Sequence, residues 1–288
     1  MTRTSTRRGR RGAALLVALA TIAVLASVTA IASSQARQAA SVVDNRRSQA
    51  TARAMAESGI LAARARIEAR LRDAGVDSAR MDRAFDVLTT ANGPVVQDTV
   101  GDGVFATAVV DVSARLDVNT AGADGLATLL ATVAPPVEAR RVAAAIDARV
   151  RGADNETAEA TGASSEARRQ RLQRDSMGAA LLGRAPTTRA MQPFTSLDEL
   201  LTVPGMTAEW LDALAADLTV DGDGRVNRRG ASRRVLAAAS GTLVDRPSRL
   251  LLISRGWRRD HVLTREIQAV YDVTGTELRL VRWREQDR

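Results

Sequence analysis

From Ala13 to Ala36 the chain carries no charged residue, and charge returns at Arg37. At ~1.5 Å per helical residue this run is long enough to cross a hydrocarbon core of ~30 Å, so it predicts a membrane span. No proline occurs before Pro94, and only Gly59 and Gly75 interrupt the Ala-, Arg-, Gln- and Glu-rich sequence between Gly12 and Asn92. One long helix is therefore expected, ending near Arg72 to Gly75. Its distal half places Ile60, Ala63, Ile67 and Leu71 at helical spacing, an apolar stripe suited to lying on a sheet.

The period then changes. After a loop rich in Gly and Asp, from Asn92 to Gly103, the segment Phe105 to Leu116 sets Ala108, Val110, Val112 and Ala114 against Thr107, Asp111 and Ser113, the alternation of a strand. Three further β-prone runs, Arg249 to Trp257, Glu266 to Val273 and Glu277 to Trp283, lie near the C-terminus, with Thr274-Gly275 predicting a hairpin turn between the last two. Between them, from about Asp117 to Ser240, the composition is helical. Asn119-Thr120-Ala121-Gly122-Ala123 opens one helix, into Leu126 to Val133, and Asn227-Arg228-Arg229-Gly230-Ala231 opens another, into Val235 to Ala239. The shared spacing suggests a degenerate repeat whose Asn side chains accept from backbone N–H groups at the turn. The stretch from Gly152 to Ser165, within a loop over 152–168, is polar, acidic and poor in large apolar residues, and reads as a mobile loop.

The pattern as a whole predicts an α+β fold, a long N-terminal helix packed on an antiparallel sheet that is interrupted by a large inserted helical domain. The boundaries are a basic leader over 1–12, the span over 13–36, the outer half of the helix over 37–75, a first part of the sheet domain over 76–116, the insertion over 117–240 and closing strands over 241–288.

Charge refines this picture. The chain of 288 residues has a formal net charge of +8, and all 41 of its basic residues are arginines. Five of these (Arg3, Arg7, Arg8, Arg10, Arg11) precede the uncharged run, leaving a nearly balanced remainder. The asymmetry predicts a cytoplasmic N-terminus and an exported bulk by the positive-inside tendency. The seven aromatics are scattered rather than set as stacking platforms in a basic stripe. With no cysteine, a disulfide framework, a thiolate nucleophile and a thiolate metal site are all excluded. The single histidine, His261, rules out the usual zinc ligand sets and reads as a surface or strand residue. No G-x-S-x-G occurs, and no constellation of catalytic groups is visible, so an enzyme is not expected.

The N-terminal junction, Arg-Arg-Gly followed by Ala13-Ala-Leu-Leu-Val17, resembles a type IV prepilin leader. That resemblance implies cleavage by prepilin peptidase between Gly12 and Ala13, N-methylation of Ala13, and retention of the apolar segment. Pilins usually place Glu fifth in the mature chain; here that position is Val17, and the span contains no acid. A carboxylate in the membrane costs ~2.5–3.5 kcal/mol on insertion scales, so it is normally kept for a partner. Its absence suits a first-inserted subunit. The segments Ala54 to Ile60, Pro193-Phe194-Thr195-Ser196-Leu197-Asp198-Glu199-Leu200-Leu201, Val203-Pro204-Gly205-Met206-Thr207 and Val281-Arg282-Trp283-Arg284-Glu285 extend the likeness over most of the chain, with a poor match between about Arg149 and Arg189. Together they resemble the type II secretion system protein K family of minor pseudopilins. The resemblance implies a non-enzymatic subunit at the pseudopilus tip, anchored by one span in the bacterial inner membrane with its bulk in the periplasm. It implies as partners the other minor pseudopilins, the major pseudopilin, prepilin peptidase and the inner-membrane assembly platform, with the secretin or exported proteins as further candidates. Small residues Ala18, Ala23, Ala26 and Ala30 would let neighbouring helices approach closely.

Other readings of the same residues stand beside it. Ala30-Ile31-Ala32 forms an A-x-A site that would release a soluble exported protein beginning at Ser33, although the apolar run exceeds the usual signal core of ~7–15 residues. The Val203 to Thr207 segment also resembles the helix-hairpin-helix of membrane-anchored DNA-uptake receptors, echoed by Asn119-Thr120-Ala121. In that role a Gly-x-Gly turn offers N–H groups to phosphate. Here Thr207 replaces the second Gly, and Asp198, Glu199, Glu209, Asp212 and Asp217 flank the turn, so DNA is not the expected partner and the motif reads as a packing device with Ser196 and Glu199 as a capping box. Asp221-Gly222-Asp223-Gly224 has the hard oxygen donors calcium prefers, and Asp221 and Asp223 are the candidate ligands, but Arg225 and Ser232 break the EF-hand pattern. No cofactor is required by this reading.

Overall fold

The computed structural model describes residues 7–89, 96–152 and 192–287. Helix α1, Arg7–Ala74, runs unbroken for 68 residues, as expected where, beyond Gly12, nothing but Gly59 opposes helix propensity until Gly75 closes it with φ of 61°. Helix α2, Ser78–Thr89, follows at once. The sheet is antiparallel, with strand order β1-β2-β7-β8-β9, where β1 is Val96–Val100, β2 Gly103–Asp111, β7 Arg249–Arg258, β8 Thr264–Thr274 and β9 Glu277–Asp287. Strands β2 and β7 are hydrogen-bonded neighbours, so everything between them in sequence leaves the sheet and returns. The β8–β9 hairpin closes with Gly275 at φ of 62°, the positive φ that matches a tight turn to strand twist.

The outer half of α1 lies on this sheet. Ser48, Ala52, Ala56, Ile60, Ala63, Ile67 and Leu71 are completely buried, three or four residues apart, and from Ala56 onward they share a core with Leu250, Leu252, Ile267, Ala269 and Tyr271. Met81, Ala84, Phe85 and Leu88 of α2 complete this core. Burial of each large side chain contributes about 1.5–3 kcal/mol. The stripe changes character along its length. Near the distal end it is Ile and Leu; nearer the membrane run it is Ala, Ser and Gly, because there helix and sheet backbones nearly touch. A methyl on Gly256 of β7 would lie 2.2 Å from the Ala52 carbonyl oxygen, and one on Gly59 would lie 2.1 Å from Ser254 Oγ.

Two strand expectations are corrected. Strand β2 stops at Asp111 rather than continuing to Leu116, and it buries Phe105, Thr107, Val109 and Asp111, while Ala108 and Val110 point to the half-exposed face. The inward Thr107 hydroxyl donates to Ser254 Oγ at 3.0 Å, so two buried hydroxyls satisfy each other under Gly59. The Gly- and Asp-rich stretch before residue 103, read as loop, contains β1, paired in register with β2 from Val96↔Thr107 to Val100↔Gly103.

The segment between β2 and β7 builds a second core. It holds α3 (Gly122–Leu130), α4 (Pro136–Arg151), α5 (Ala208–Leu214) and α6 (Arg233–Ala238), with short 3-10 turns at Val112–Ala114 and Leu197–Thr202. It is not purely helical. Two parallel strand pairs join it: β3 (Leu116–Asp117) with β4 (Leu218–Thr219), and β5 (Arg225–Asn227) with β6 (Thr242–Val244). Both Asn-x-x-Gly-Ala segments leave one of these strands and enter a helix, α3 or α6, with Val118 and Val226 buried at equivalent places. Their Asn residues behave differently. Asn227 Oδ1 accepts locally from Arg229 N at 3.2 Å, while its Nδ2 donates to the distant Asp111. Asn119 uses both ends of its amide at long range, accepting from Phe194 N at 2.8 Å and donating to the Phe194 and Val220 carbonyls at 3.1 and 3.3 Å. Most of the 152–168 loop lies outside the described residues.

Candidate membrane anchor and assembly surface

Among the described residues, α1 is bare from Leu16 to Val43. From Leu16 to Arg47 every residue is exposed, including Val17 at 65%, Leu25 at 65% and Ile31. An apolar helix left bare in this way needs lipid or other helices around it. Several of its hydroxyls bond their own helix. Thr21 Oγ1 donates to the Val17 carbonyl at 2.8 Å, Ser27 Oγ to Ala23 at 2.8 Å, Thr29 Oγ1 to Leu25 at 2.8 Å and Ser34 Oγ to Ile31 at 2.9 Å. Such back-bonding meets the demand that every polar group in hydrocarbon be satisfied internally. Gly12 and Ala13 fall within α1 ahead of this segment, and Ala18, Ala23, Ala26 and Ala30 are exposed along it.

Where α1 reaches the sheet, a polar collar fixes it. Arg258, the last residue of β7, donates to Asp44 Oδ1 at 2.6 Å and to Ser48 Oγ at 2.9 Å, and its Nε lies 3.3 Å from Asp102 in the β1–β2 turn. The Arg258 hydrogen bond holds the Asp44 carboxyl below the usual carboxylate range. His261 Nε2 lies 3.7 Å from Asp44 Oδ2, which places the lone histidine in the β7–β8 loop. Asp44 is the first acid after the uncharged run, and that is the one sequence signal that could have pointed to this collar.

A second junction ties the insertion to the sheet. Asp221 accepts from Arg282 Nη1 at 3.1 Å and also from Arg284 Nη2, both on β9. Arg249 of β7 donates to the Asp221 and Gly222 carbonyls at 2.9 and 2.5 Å. Asp223 accepts from Arg225 N at 3.1 Å and Ser248 Oγ at 3.2 Å. Of the acids nominated for calcium, Asp221 is therefore committed to two guanidinium groups and Asp223 to a backbone N–H and a serine hydroxyl. This donor set does not fit calcium. Among the described residues no group of three or more His, Cys, Asp or Glu side chains is placed to hold a metal.

The Phe194 to Thr207 motif packs rather than presents. Leu200, Val203 and Met206 enter the second core, and Gly205 turns the chain at φ of 90°. The capping box is displaced by one residue: Glu199 accepts from Thr195 N at 3.2 Å and from the Thr195 hydroxyl, while Ser196 makes no side-chain cap bond. Thr195 first, then Arg149 at 2.8 Å, holds the Glu199 carboxyl below its ordinary range. Arg149 also lies over the Phe194 ring at 4.2 Å. Thr207 accepts from Trp210 N at 3.3 Å, capping its own helix, and Asp198, Glu209 and Asp212 stay exposed around the turn, an arrangement that repels phosphate.

At the hinge between the two cores, Asp111 accepts from Ser113 Oγ at 2.6 Å and Asn227 Nδ2 at 2.7 Å. Burial pushes its carboxyl above the usual carboxylate range despite those bonds. The folded state thus binds a proton there more tightly than the unfolded state, and stability from this site is full below the unfolded pKa and lost as pH rises through the folded one. Asp111→Asn removes that titration. Its urea midpoint relative to the native chain is expected to rise from acid to neutral pH, and a constant difference would refute the assignment.

No family model and no curated protein matches the chain. Among solved structures it is similar to a chain of the GspK-GspI-GspJ complex from the enterotoxigenic Escherichia coli Type 2 Secretion System, with a TM-score of 0.59, 14% identity, and coverage of 85% of this chain and 99% of that one. At that identity the likeness is one of fold: a long N-terminal helix, an antiparallel sheet and additional helices in an α+β arrangement.

Proposed function

We propose that this chain is a minor pseudopilin of a type II secretion system, cut after Gly12, methylated on Ala13 and held in the inner membrane by the segment after it. The observation that carries the reading is α1 itself, bare and apolar from Leu16 to Ala36 and packed on the sheet over its second half. This is the form of a subunit whose exposed helix is covered by lipid before assembly and by neighbouring helices after it. With Val17 in place of the pilin glutamate, the subunit has no carboxylate to offer a preceding subunit's terminal ammonium, which supports a place at the tip beside other minor pseudopilins. The bulky insertion would then cap the filament, a structural rather than catalytic task.

The test is the mature N-terminus. Mass spectrometry on membranes of the native host is expected to find a chain beginning at methylated Ala13, and Gly12→Val is expected to retain the leader and abolish secretion. A chain beginning at Ser33 would refute membrane retention and with it this function.

A further inference from the structure

Asp44 lies eight positions beyond Ala36, the end of the uncharged run, or ~12 Å along the helix. Headgroups extend a ~30 Å core to ~40–45 Å, so if the run spans a membrane the collar stands on the order of 6 Å above the headgroups, inside a Debye length of ~8 Å. The collar fixes which part of the sheet comes down to that level. Arg258 binds Asp44 and Ser48, Arg259 N donates to the Asp102 carbonyl at 2.7 Å, and His261 faces Asp44. These contacts bring the β7–β8 loop and the β1–β2 turn to the membrane side of the sheet. At the loop's tip Val262 is 92% exposed, next to Asp260, which holds a positive φ of 60°.

Charge on this rim is unevenly spent. Asp44 and Asp102 are consumed by Arg258 and Arg47. Arg37, Arg46 and Arg259 are exposed with no side-chain partner among the described residues, against Asp260 as the unpaired acid of the loop. We infer that the collar rim, with Arg46, Arg259 and Val262 at its edge, docks on the anionic headgroup surface of the membrane that α1 enters. Guanidinium groups pair with lipid phosphate, and the exposed valine enters the interface. The inference rests on the anchor reading of α1. It gives the subunit an oriented seat on the membrane that is released when the helix moves into a filament.

The chain has no cysteine, so single labels are unambiguous. The full-length protein, reconstituted in vesicles containing a headgroup-spin-labelled lipid, would carry a fluorophore at Val262→Cys, at Ser34→Cys or at Val76→Cys. Val76 is fully exposed just beyond the other end of α1, ~45 Å from Asp44. The Val262 label is expected to be quenched several-fold more in phosphatidylcholine containing phosphatidylglycerol than in phosphatidylcholine alone, and high salt or Arg46→Glu with Arg259→Glu is expected to abolish the difference. The Ser34 label is quenched in both, the Val76 label in neither. An unquenched Val262 beside a quenched Ser34 would overturn the docking; unquenched Ser34 would overturn the anchor beneath it; quenching of Val262 indifferent to lipid charge, salt and the double variant would overturn the anionic headgroup as its partner.

Discussion

Gly256→Ala is expected to destabilise the chain by about 3 kcal/mol, the upper part of the usual range for over-packing. The new methyl would lie 2.2 Å from Ala52 O, 2.3 Å from Ala56 N and 2.9 Å from Met55 C. All three are backbone atoms of a helix that cannot give locally, so α1 must lift from β7, and the bare half of the helix loses its rigid base. At roughly 2–4 °C per kcal/mol for a chain of this size, thermal unfolding in detergent should shift downward on the order of 10 °C. An unchanged midpoint would mean that α1 does not cross the sheet this closely. Gly59→Ala is the informative contrast. Its methyl meets Ser254 Oγ and Thr107 Oγ1, side-chain atoms, so Gly59→Ala combined with Ser254→Ala should recover part of the loss, whereas no side-chain change rescues Gly256→Ala.

That contrast also shows how far the fold was legible beforehand. The length of α1, its bare uncharged run and its buried stripe follow from period and the absence of breakers, signals that a single element carries within itself. The three C-terminal strands were legible for the same reason. Strand β1 was not, because Val-Gln-Asp-Thr-Val is an edge strand exposed on almost every residue and is held by backbone bonds to β2. The inward face of β2 was misjudged because composition favours burying Ala108 and Val110, yet Thr107 faces the helix, made tolerable by Ser254 opposite and Gly59 above. That outcome depends on which residue of α1 arrives there. Asn119 looked like a local turn residue, but its partners come from Phe194 and Val220. The Asp44–Arg258 collar joins residues more than two hundred positions apart, and Asp44 as the first acid after the uncharged run is its one trace in the sequence.

Asp221→Ala is the other substitution expected to act strongly, with a loss of ~3–5 kcal/mol, as when one partner of a buried ion pair is removed. Asp221 is 8% exposed at its side chain, and Arg282 and Arg284 are 33% and 21% exposed, so water only partly replaces the carboxylate. The Arg284 Nε already lacks a partner, which leaves that guanidinium dependent on its Nη groups. Arg282 Nη2 and Arg284 Nη1 also donate to the Thr195 carbonyl, at 3.5 and 3.3 Å. Removing Asp221 therefore sets two cations against each other where β9 grips the insertion. Denaturation should split into two transitions, the insertion melting before the helix and sheet. Because the penalty lies in the orphaned charges, Asp221→Ala combined with Arg282→Met and Arg284→Met should regain most of the stability. If the triple variant is as unstable as the single one, the carboxylate is holding the 219–224 turn through its shape, and the ion pairs are incidental to the junction.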